Sequence, residues 1–420
     1  LPLFLLGGIP AGQALQESKA RLAGRRGSVM RFLLLWGLAF AALFAVSGAL
    51  LQFSTGLVID LAAGTLQAVA WIAGATIALW SITNLFIGLF ASVSFALAVR
   101  AAWRRWAPAP DEANKARLAA LDAGDAVGRP MAIILGLVAV VLVLEAFVLS
   151  RQLDGFRNDD RPDIMAHRGA SWDAPENTMA AIEEAIRQGA DWVEIDVQET
   201  HDGRVLVAHD RDLMKVAGSP LRIFDAPFEE LRAVDIGSFK DSRFSDQRLP
   251  LFEEVLELAR GRVKLNIELK YYGQEERLEE RVAELIDRYG MADEVVLMSL
   301  SLPGVRAMKG LRPDWTVGLL SSVAVGDITR LDVDFFAINA RFASRAFVDR
   351  AQGRGKGVFT WTVNDPAGMS AMIGKGVDGI ITDRPGLAQR VWEERLELSV
   401  LERILVQVAS RLGSDYDAGQ

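Results

Sequence analysis

The chain has no cysteine and only three histidines among its 420 residues. The absence of cysteine excludes disulfide bonds and metal sites built from thiolates, and it is compatible with an oxidising compartment. Acidic residues outnumber basic ones, 54 to 46, and the resulting net charge of -8 argues against a nucleic-acid partner. Hydrophobic residues, in contrast, make up 51% of the chain, and its mean hydropathy is +0.20. This is high for a soluble enzyme and predicts membrane segments.

Long apolar segments in the first part of the chain predict membrane spans at about residues 32–52, 66–99 and 131–150. The first is long enough, because a helix needs ~20 apolar residues to cross a bilayer. Residues 61–99 are uncharged, but one helix of that length would measure about 58 Å. The alternatives there are one long tilted helix and a pair of short spans. Residues 1–9 predict part of a further span, and this succession of apolar segments does not fit a signal peptide.

Basic residues flank these spans unevenly. They cluster at residues 19–31 and 100–117, whereas residues 52–60 contain none. Placing both clusters in the cytoplasm satisfies the positive-inside rule and requires a single crossing within residues 61–99. Two crossings there would put one basic cluster outside. The third span then leads out of the cytoplasm, which predicts an integral protein of the plasma (inner) membrane with everything after Arg151 outside the cytoplasm.

Short apolar runs alternate with amphipathic helical stretches from residue 163 to residue 395. About eight such units predict an α/β fold, a (β/α)8 TIM barrel preceded by transmembrane α-helices. Residues 211–250 interrupt the alternation and predict a small insertion after the second strand. The remaining divisions are a membrane domain at 1–150, a linker at 151–162, and a C-terminal helix and tail at 396–420. That helix would either contact a second copy of the chain or pack on the barrel.

Carboxylates collect near the carboxyl ends of the predicted strands, where barrels of this kind place their chemistry. Glu194 and Asp196 are two residues apart on one strand, so their side chains point to the same side, into the barrel mouth. Glu268, on the next strand, can converge on them. Three carboxylates without cysteine predict a site for one hard divalent cation, Ca²⁺ or Mg²⁺. In the alternative interpretation, the carboxylates pair only with basic residues: Lys264, Lys270 or Arg168.

Two of the three histidines, His167 and His209, follow neighbouring predicted strands. They supply a general acid and a general base near neutral pH. Arg168 and Lys270 are donors suited to phosphate oxygens and to the charge that develops on them. Together with a cation, these groups predict cleavage of a phosphodiester. His201 lies in the turn His201-Asp202-Gly203 and is expected to be exposed.

Short motifs spread in order over residues 163–395 resemble those of the glycerophosphodiester phosphodiesterase family. They are His167-Arg168-Gly169, Pro175-Glu176-Asn177-Thr178, Glu194-Ile195-Asp196-Val197, His209-Asp210, Leu249-Pro250-Leu251-Phe252, Asn266-Ile267-Glu268-Leu269-Lys270, Phe359-Thr360-Trp361-Thr362 and Thr382-Asp383-Arg384-Pro385. Residues 14–24 resemble, less closely, the membrane domain that accompanies some members.

The resemblance implies a (β/α)8 barrel that hydrolyses glycerophosphodiesters to glycerol 3-phosphate and an alcohol. It implies a route in which the glycerol 2-hydroxyl attacks phosphorus and water then opens the cyclic product. The roles implied by the motifs are an acid–base pair of His167 and His209, a phosphate ligand Arg168, a charge-stabilising Lys270, a wall for the glycerol at Trp361, and metal ligands Glu194, Asp196 and Glu268. Lys215-Val216-Ala217 departs from the family pattern, because members more often have an arginine and a threonine there. The resemblance therefore does not indicate which contacts the insertion makes with the site.

The expected partners are a glycerophosphodiester or lipid-derived substrate, membrane lipids and a possible homo-oligomer. Two other functions are alternatives to the hydrolysis of glycerophosphodiesters. One is a phospholipase of C or D type that acts on membrane lipid or lysolipid, which a head-group and chain-length assay would distinguish. The other is a catalytically idle barrel on a membrane anchor. An idle barrel predicts loss of a histidine or of a metal carboxylate, and none is lost.

Overall fold

The computed structural model describes residues 26–62, 65–106, 160–322 and 326–413, together with the isolated Gln16 and Gly24. The predicted spans at 1–9 and 131–150, nearly all of the predicted linker and the tail after residue 413 lie outside the described residues. The chain divides into two compact units. One contains residues 1–57 and 74–152, and the other contains residues 58–73 and 153–420.

The described part of the first unit comes from two long apolar helices, α1 (Arg26–Ala62) and α2 (Leu66–Trp106). They contact each other through polar as well as apolar groups, since Trp36 Nε1 on α1 donates to Ser94 Oγ on α2 at 3.1 Å. Large apolar side chains are exposed along both helices. Stretches of 31 residues in α1 and 34 residues in α2 could cross a membrane by length and composition. Because α2 is continuous, it favours one long helix over a pair of short spans at this position.

The second unit is built around a closed sheet. Eight strands pair in parallel in the order β1-β9-β8-β7-β6-β5-β4-β2, and the β1–β2 pairing closes the barrel. The predicted (β/α)8 barrel is therefore confirmed. The strands are β1 (Asp163–His167), β2 (Trp192–Glu199), β3 (Val205–Val207), β4 (Lys264–Leu269), β5 (Val295–Ser299), β6 (Val317–Ser321), β7 (Phe335–Asn339), β8 (Gly357–Trp361) and β9 (Gly379–Thr382).

The apolar run that forms β3 was expected to be another parallel strand, but it pairs with β2 in the antiparallel direction and lies outside the barrel. Only residues 200–204 connect the two strands, which is too short for the crossover that a parallel strand requires. Val197 is paired with Val207, so the chain turns at the top of β2 and comes back down beside it. This return brings the residues after β3 to the level of Asp196, whose carbonyl accepts from Ala208 N at 2.9 Å.

The helices of the second unit cover the barrel and connect its strands. In α3, Thr178 Oγ1 caps the helix by accepting from Ala181 N, and Ile182 and Ala185 bury the inward face. Inside the barrel, a separate cluster that includes Met165 and Phe335 fills the space between the strands. The described helices are α3 (Met179–Arg187), α4 (Met214–Ala217), α5 (Phe228–Arg232), α6 (Phe252–Ala259), α7 (Leu278–Tyr289), α8 (Leu302–Leu311), α9 (Arg345–Gln352), α10 (Pro366–Lys375), α11 (Pro385–Glu397) and α12 (Val400–Gly413).

The predicted insertion contains α4 and α5 and has a small core of its own around Phe228 and Leu231. It follows β3 and ends at α6, so it stands beside the barrel mouth. At the C-terminus, α12 buries Val406 and Ala409 in the main apolar cluster of the barrel. The C-terminal helix thus packs on the barrel, as one of the two alternatives expected.

Candidate active site

The first strand ends in a tight turn that places His167 and Arg168 at the barrel mouth. Arg168 has a φ of 56° and Gly169 a φ of 83°, a region that side chains other than glycine rarely adopt. A Cβ on Gly169 would lie 2.6 Å from the backbone carbon of Ala181, so the turn has no room for a side chain there. The turn aims the backbone N–H of Arg168 at Glu194 Oε2, which accepts it at 2.9 Å.

Three buried carboxylates meet inside this mouth. Glu194 and Asp196 project from β2, and the β2–β4 pairing sets Glu268 directly beside Asp196. All three are at most 5% exposed. One oxygen from each lies within 4.8 Å of the others, as the period-two spacing predicted. Such a set of oxygen donors fits a hard divalent cation such as Ca²⁺ or Mg²⁺.

The electrostatics of this trio also fit a cation. Burial, and then the neighbouring Asp196 and Glu268, raise the pKa of Glu194 well above its usual range. Burial and the charge of Asp196 raise the pKa of Glu268 to about 7. Burial opposes the charge on Asp196 as well, but Lys270, Arg168 and His209 outweigh it and hold the pKa of Asp196 below its usual range. The buried Asp196 Oδ1 accepts no hydrogen bond within the described chain, although Lys270 Nζ lies 3.3 Å from it as an ion-pair partner.

Arg168 and Lys270 surround the same carboxylates. Lys270 Nζ donates to Glu268 Oε1 at 2.9 Å and lies 3.3 Å from Asp196 Oδ1, while Arg168 Nε lies 3.4 Å from Asp196 Oδ2. The ion pairs of the alternative interpretation therefore exist for these two residues. Lys264, in contrast, is exposed and its Nζ lies 5.0 Å from the Trp192 ring centroid. Two cationic side chains facing three carboxylates leave a deficit of positive charge that a metal ion would fill.

Both predicted catalytic histidines have an aspartate on Nδ1. His167 Nδ1 lies 2.6 Å from Asp383 Oδ1, and His209 Nδ1 lies 2.8 Å from Asp210 Oδ1. Burial opposes the charge on Asp383, but the hydrogen bond and charge of His167 lead the effects that lower its pKa to about 2. The hydrogen bond from His209 is the main cause that lowers the pKa of Asp210. An ionised carboxylate can only accept, so each ring carries its proton on Nδ1 and offers Nε2 to a substrate.

Sequence reasoning missed these aspartates as functional residues. Asp383 follows β9, and its other contacts come from Ser171 Oγ at 2.9 Å and Asn364 Nδ2 at 2.6 Å. Asp210 is adjacent to His209 in the His209-Asp210 motif, which was the available signal. For Asp383, the feature in the sequence that could have indicated a functional role was its position just after a predicted strand.

Two residues of the Pro175-Glu176-Asn177-Thr178 motif also hold the site together. Asn177 is buried, has a φ of 57°, and donates from Nδ2 to Asp196 Oδ2 at 2.9 Å. Glu176 accepts from Arg168 NH1 at 3.0 Å and from Lys215 Nζ at 2.8 Å. The lysine that departs from the family pattern thus reaches the site from the insertion and completes a chain of contacts to Arg168.

The other two residues singled out in the sequence lie where their motifs suggested. Trp361 ends β8, is partly exposed, and donates from Nε1 to the carbonyl of Ala337 at 3.1 Å, which fixes its ring at the mouth. His201 is exposed in the turn between β2 and β3. The mouth therefore combines a carboxylate trio, two aspartate-held imidazoles, two basic donors and a partly exposed tryptophan ring. This combination suits in-line displacement at a phosphodiester, because it provides proton transfer and charge neutralisation at one place.

Comparison with known proteins agrees with this class. Residues 167–387 match the model of the glycerophosphoryl diester phosphodiesterase family. A putative glycerophosphodiester phosphodiesterase of Bacillus subtilis is 31% identical over 229 residues, which cover 53% of this chain and 94% of the relative. The glycerophosphodiester phosphodiesterase of Caldanaerobacter subterraneus subsp. tengcongensis is 33% identical, with 53% and 94% of the two chains covered.

Solved structures are also similar. A phosphodiesterase of Oleispira antarctica, in complex with the product sn-glycerol-3-phosphate, has a TM-score of 0.53 and 28% identity, and the match covers 55% of this chain and 97% of that one. A putative family member from Silicibacter pomeroyi has a TM-score of 0.52 and 26% identity, with 59% and 98% covered. The chain belongs to the glycerophosphoryl diester phosphodiesterase family.

Proposed function

We propose that the chain hydrolyses glycerophosphodiesters to glycerol 3-phosphate and an alcohol at the barrel mouth. The observation that carries the proposal is the convergence of three buried carboxylates with two imidazoles, each held by an aspartate. The Oleispira antarctica relative, solved with sn-glycerol-3-phosphate as its product, supports the same product here.

The metal ligands in this proposal are Glu194, Asp196 and Glu268, which would hold one divalent cation, Ca²⁺ or Mg²⁺. When bound, the cation supplies positive charge that neutralises the phosphodiester oxygens. The properties of these three carboxylates support the assignment. Burial and then the neighbouring carboxylates raise the pKa of Glu194 and of Glu268, and Asp196 Oδ1 accepts no hydrogen bond within the described chain.

His167 and His209 carry the protons. In the first step one imidazole takes the proton from the attacking glycerol 2-hydroxyl, and the other gives a proton to the oxygen of the departing alcohol. The two rings exchange roles in the second step, when water opens the cyclic diester. Asp383 and Asp210 support both steps, because they hold each Nδ1 proton in place and stabilise the ring when Nε2 is protonated.

The remaining predicted residues bind and orient the substrate. Arg168 presents its guanidinium to a phosphate oxygen, and Lys270 stabilises charge that develops on phosphorus-bound oxygens. Burial opposes the charge of both side chains, but Asp196 leads the carboxylates that raise the pKa of Arg168 and of Lys270. Both therefore stay cationic. Trp361 forms a wall against which the glycerol packs.

The membrane part of the proposal is that the enzyme is integral to the plasma (inner) membrane, with its catalytic barrel extracytoplasmic. It rests on the exposed apolar surfaces of α1 and α2 and on the basic clusters at residues 19–31 and 100–117. The proposed domains are a membrane domain at 1–150, a linker at 151–162, the barrel at 163–395 and a C-terminal segment at 396–420.

A panel of phosphodiesters tests the proposal with the purified full chain. Glycerophosphocholine, glycerophosphoethanolamine, glycerophosphoglycerol and lysophosphatidylcholine are assayed in Ca²⁺, in Mg²⁺ and in chelator. We expect glycerol 3-phosphate from the first three substrates with a cation, and none in chelator. Full activity after exhaustive chelation would contradict the metal assignment. Faster release of lysophosphatidic acid from lysophosphatidylcholine would instead support the lipid-directed phospholipase.

A further inference from the structure

The mouth of the barrel carries several large apolar side chains that are exposed. Among the residues of 160–410 that the structure describes, ten large hydrophobic side chains are exposed, and six of them follow the carboxyl ends of strands or lie in the insertion. We call these six the mouth rim: Trp172, Met214, Phe239, Tyr272, Leu300 and Phe342. Trp172 and Leu300 are more than half exposed, at 54% and 55%. A cluster of this kind on a soluble surface marks an interaction site.

The mouth rim surrounds the active site instead of lining one side of it. Its members follow β1, β4, β5 and β7 or come from the insertion after β3, so they are spread around the closed sheet. Two of them are tied to the catalytic groups. Tyr272 OH donates to the carbonyl of His209 at 2.6 Å, and Trp172 N donates to the carbonyl of Asp383 at 3.1 Å. A ring of apolar groups fits a flat apolar partner better than a single acyl chain lying in a groove.

Three cationic side chains gather around Trp172. The guanidinium of Arg384 lies 4.4 Å from its ring centroid, Lys240 Nζ donates to the carbonyl of Ser171 at 2.8 Å, and Arg243 NH2 donates to the carbonyl of Asp173 at 3.2 Å. None of the three cations forms an ion pair with a carboxylate among the residues that the structure describes. Their positive charge is therefore available to anionic groups outside the chain.

We propose that the mouth rim docks on the surface of a phospholipid bilayer, so that the active site opens toward lipid. Aromatic rings enriched at a membrane–water boundary and cations that meet lipid phosphates are the two features such a surface requires. A second copy of this chain is a poorer occupant, because its mouth rim would bring the same three cations against these three. The inference deepens the proposed function by naming the surface at which that active site works.

The absence of cysteine makes the test direct, because one introduced thiol can be labelled without background. The full chain is prepared as Phe239→Cys, Phe342→Cys and Leu311→Cys, each carrying an environment-sensitive fluorophore, and is reconstituted in vesicles of phosphatidylcholine and phosphatidylglycerol. Leu311 is the matched control, because it is exposed at the end of α8, on the opposite side of the barrel from the mouth. Lipids with a nitroxide on the acyl chain then report contact with the bilayer.

Labels at positions 239 and 342 should be quenched on the order of twofold, as expected for groups that enter about 5–10 Å into the headgroup boundary. The label at position 311 should remain unquenched. Adding Lys240→Glu and Arg243→Glu should reduce quenching at position 342 in vesicles that contain phosphatidylglycerol. Equal quenching at all three positions, or none at the rim, would overturn the proposal. So would a blue shift at the rim without nitroxide quenching, which would indicate a protein partner. The measurement needs no turnover, so its failure is distinguishable from failure of the proposed activity.

Discussion

Replacing Asp383 with asparagine is the sharpest single perturbation of the proposed proton transfer. Asp383 is the carboxylate 2.6 Å from His167 Nδ1, and its pKa falls from 3.8 to about 2 in the fold. At 1.36 kcal/mol for each pKa unit, the ionised aspartate is stabilised by about 2 kcal/mol. His167 leads the groups that stabilise this charge, and Ser171 and Asn364 contribute the rest, so the neutral amide should lower kcat by at most roughly 30-fold.

The assay is turnover of glycerophosphocholine by Asp383→Asn and wild type over a range of substrate concentrations. We expect the loss in kcat with a nearly unchanged KM, because the charge of the imidazole develops only during proton transfer. Asp173→Asn is the matched control, since Asp173 is exposed near the mouth and its carboxylate accepts from Gln188 rather than from a histidine. Normal kcat in Asp383→Asn, or an equal loss in the control, would refute the role of the aspartate.

The same substitution makes a prediction about stability and pH. A carboxyl group whose pKa is lowered in the folded state stabilises the fold at pH values above its unfolded pKa, here about 4. That contribution disappears as the pH falls through the folded value of about 2. The difference in unfolding free energy between wild type and Asp383→Asn should therefore be constant above pH 5 and shrink between pH 4 and pH 2. Denaturant titrations at each pH measure it, and a constant difference throughout would contradict the pKa shift.

Three further predictions concern the metal, the insertion and the topology. Glu268→Gln should weaken the binding of Mg²⁺ or Ca²⁺, measured by calorimetry, and should also lower kcat. An unchanged metal affinity would show that Glu268 is not a metal ligand. Lys215→Ala breaks the partly exposed ion pair with Glu176 and should lower kcat/KM only about two- to fivefold, whereas Lys215→Arg should retain kcat/KM. Glu176→Gln should lower kcat/KM further, because Arg168 then also loses its ion pair with Glu176. A reporter fused after Gln420 should be active outside the cytoplasm, and activity only inside would reverse the topology.

The carboxylate trio was predictable because it depends on short-range rules. The period of two along a strand puts Glu194 and Asp196 on one side, and parallel pairing of consecutive barrel strands brings Glu268 beside them. Both rules can be read from the sequence without knowing how the barrel closes. The alternation of apolar runs with amphipathic stretches predicted the eight-unit barrel in the same way.

The direction of β3 was not predictable from periodicity, since an apolar strand reads the same in both directions. The information lay in the five-residue connection, where His201-Asp202-Gly203 forms a turn too short for a crossover. The consequence is functional, because the antiparallel return is what lowers His209 to the level of Asp196.

The partner of His167 could not be inferred because it is 216 residues away in the chain. Asp383 reaches His167 only when β1 pairs with β9, and no local pattern in the sequence records that pairing. The positive φ of Arg168 is a similar case. Asparagine often adopts this conformation, as Asn177 does, but arginine does so only because Gly169 and Glu194 hold the turn.

Phosphorus NMR of glycerophosphocholine incubated with the purified full chain, in Ca²⁺ or Mg²⁺, follows the proposed reaction directly. Glycerol 3-phosphate should accumulate with the wild type and with the exposed control His201→Ala, and it should form ~10²–10⁴-fold more slowly with His167→Ala and with His209→Ala. The double variant should be little slower than either single variant, because both imidazoles serve one sequence of proton transfers. The proposed reaction is contradicted if the wild type leaves glycerophosphocholine unchanged, or if His201→Ala is inactive while His167→Ala or His209→Ala turns over at the normal rate.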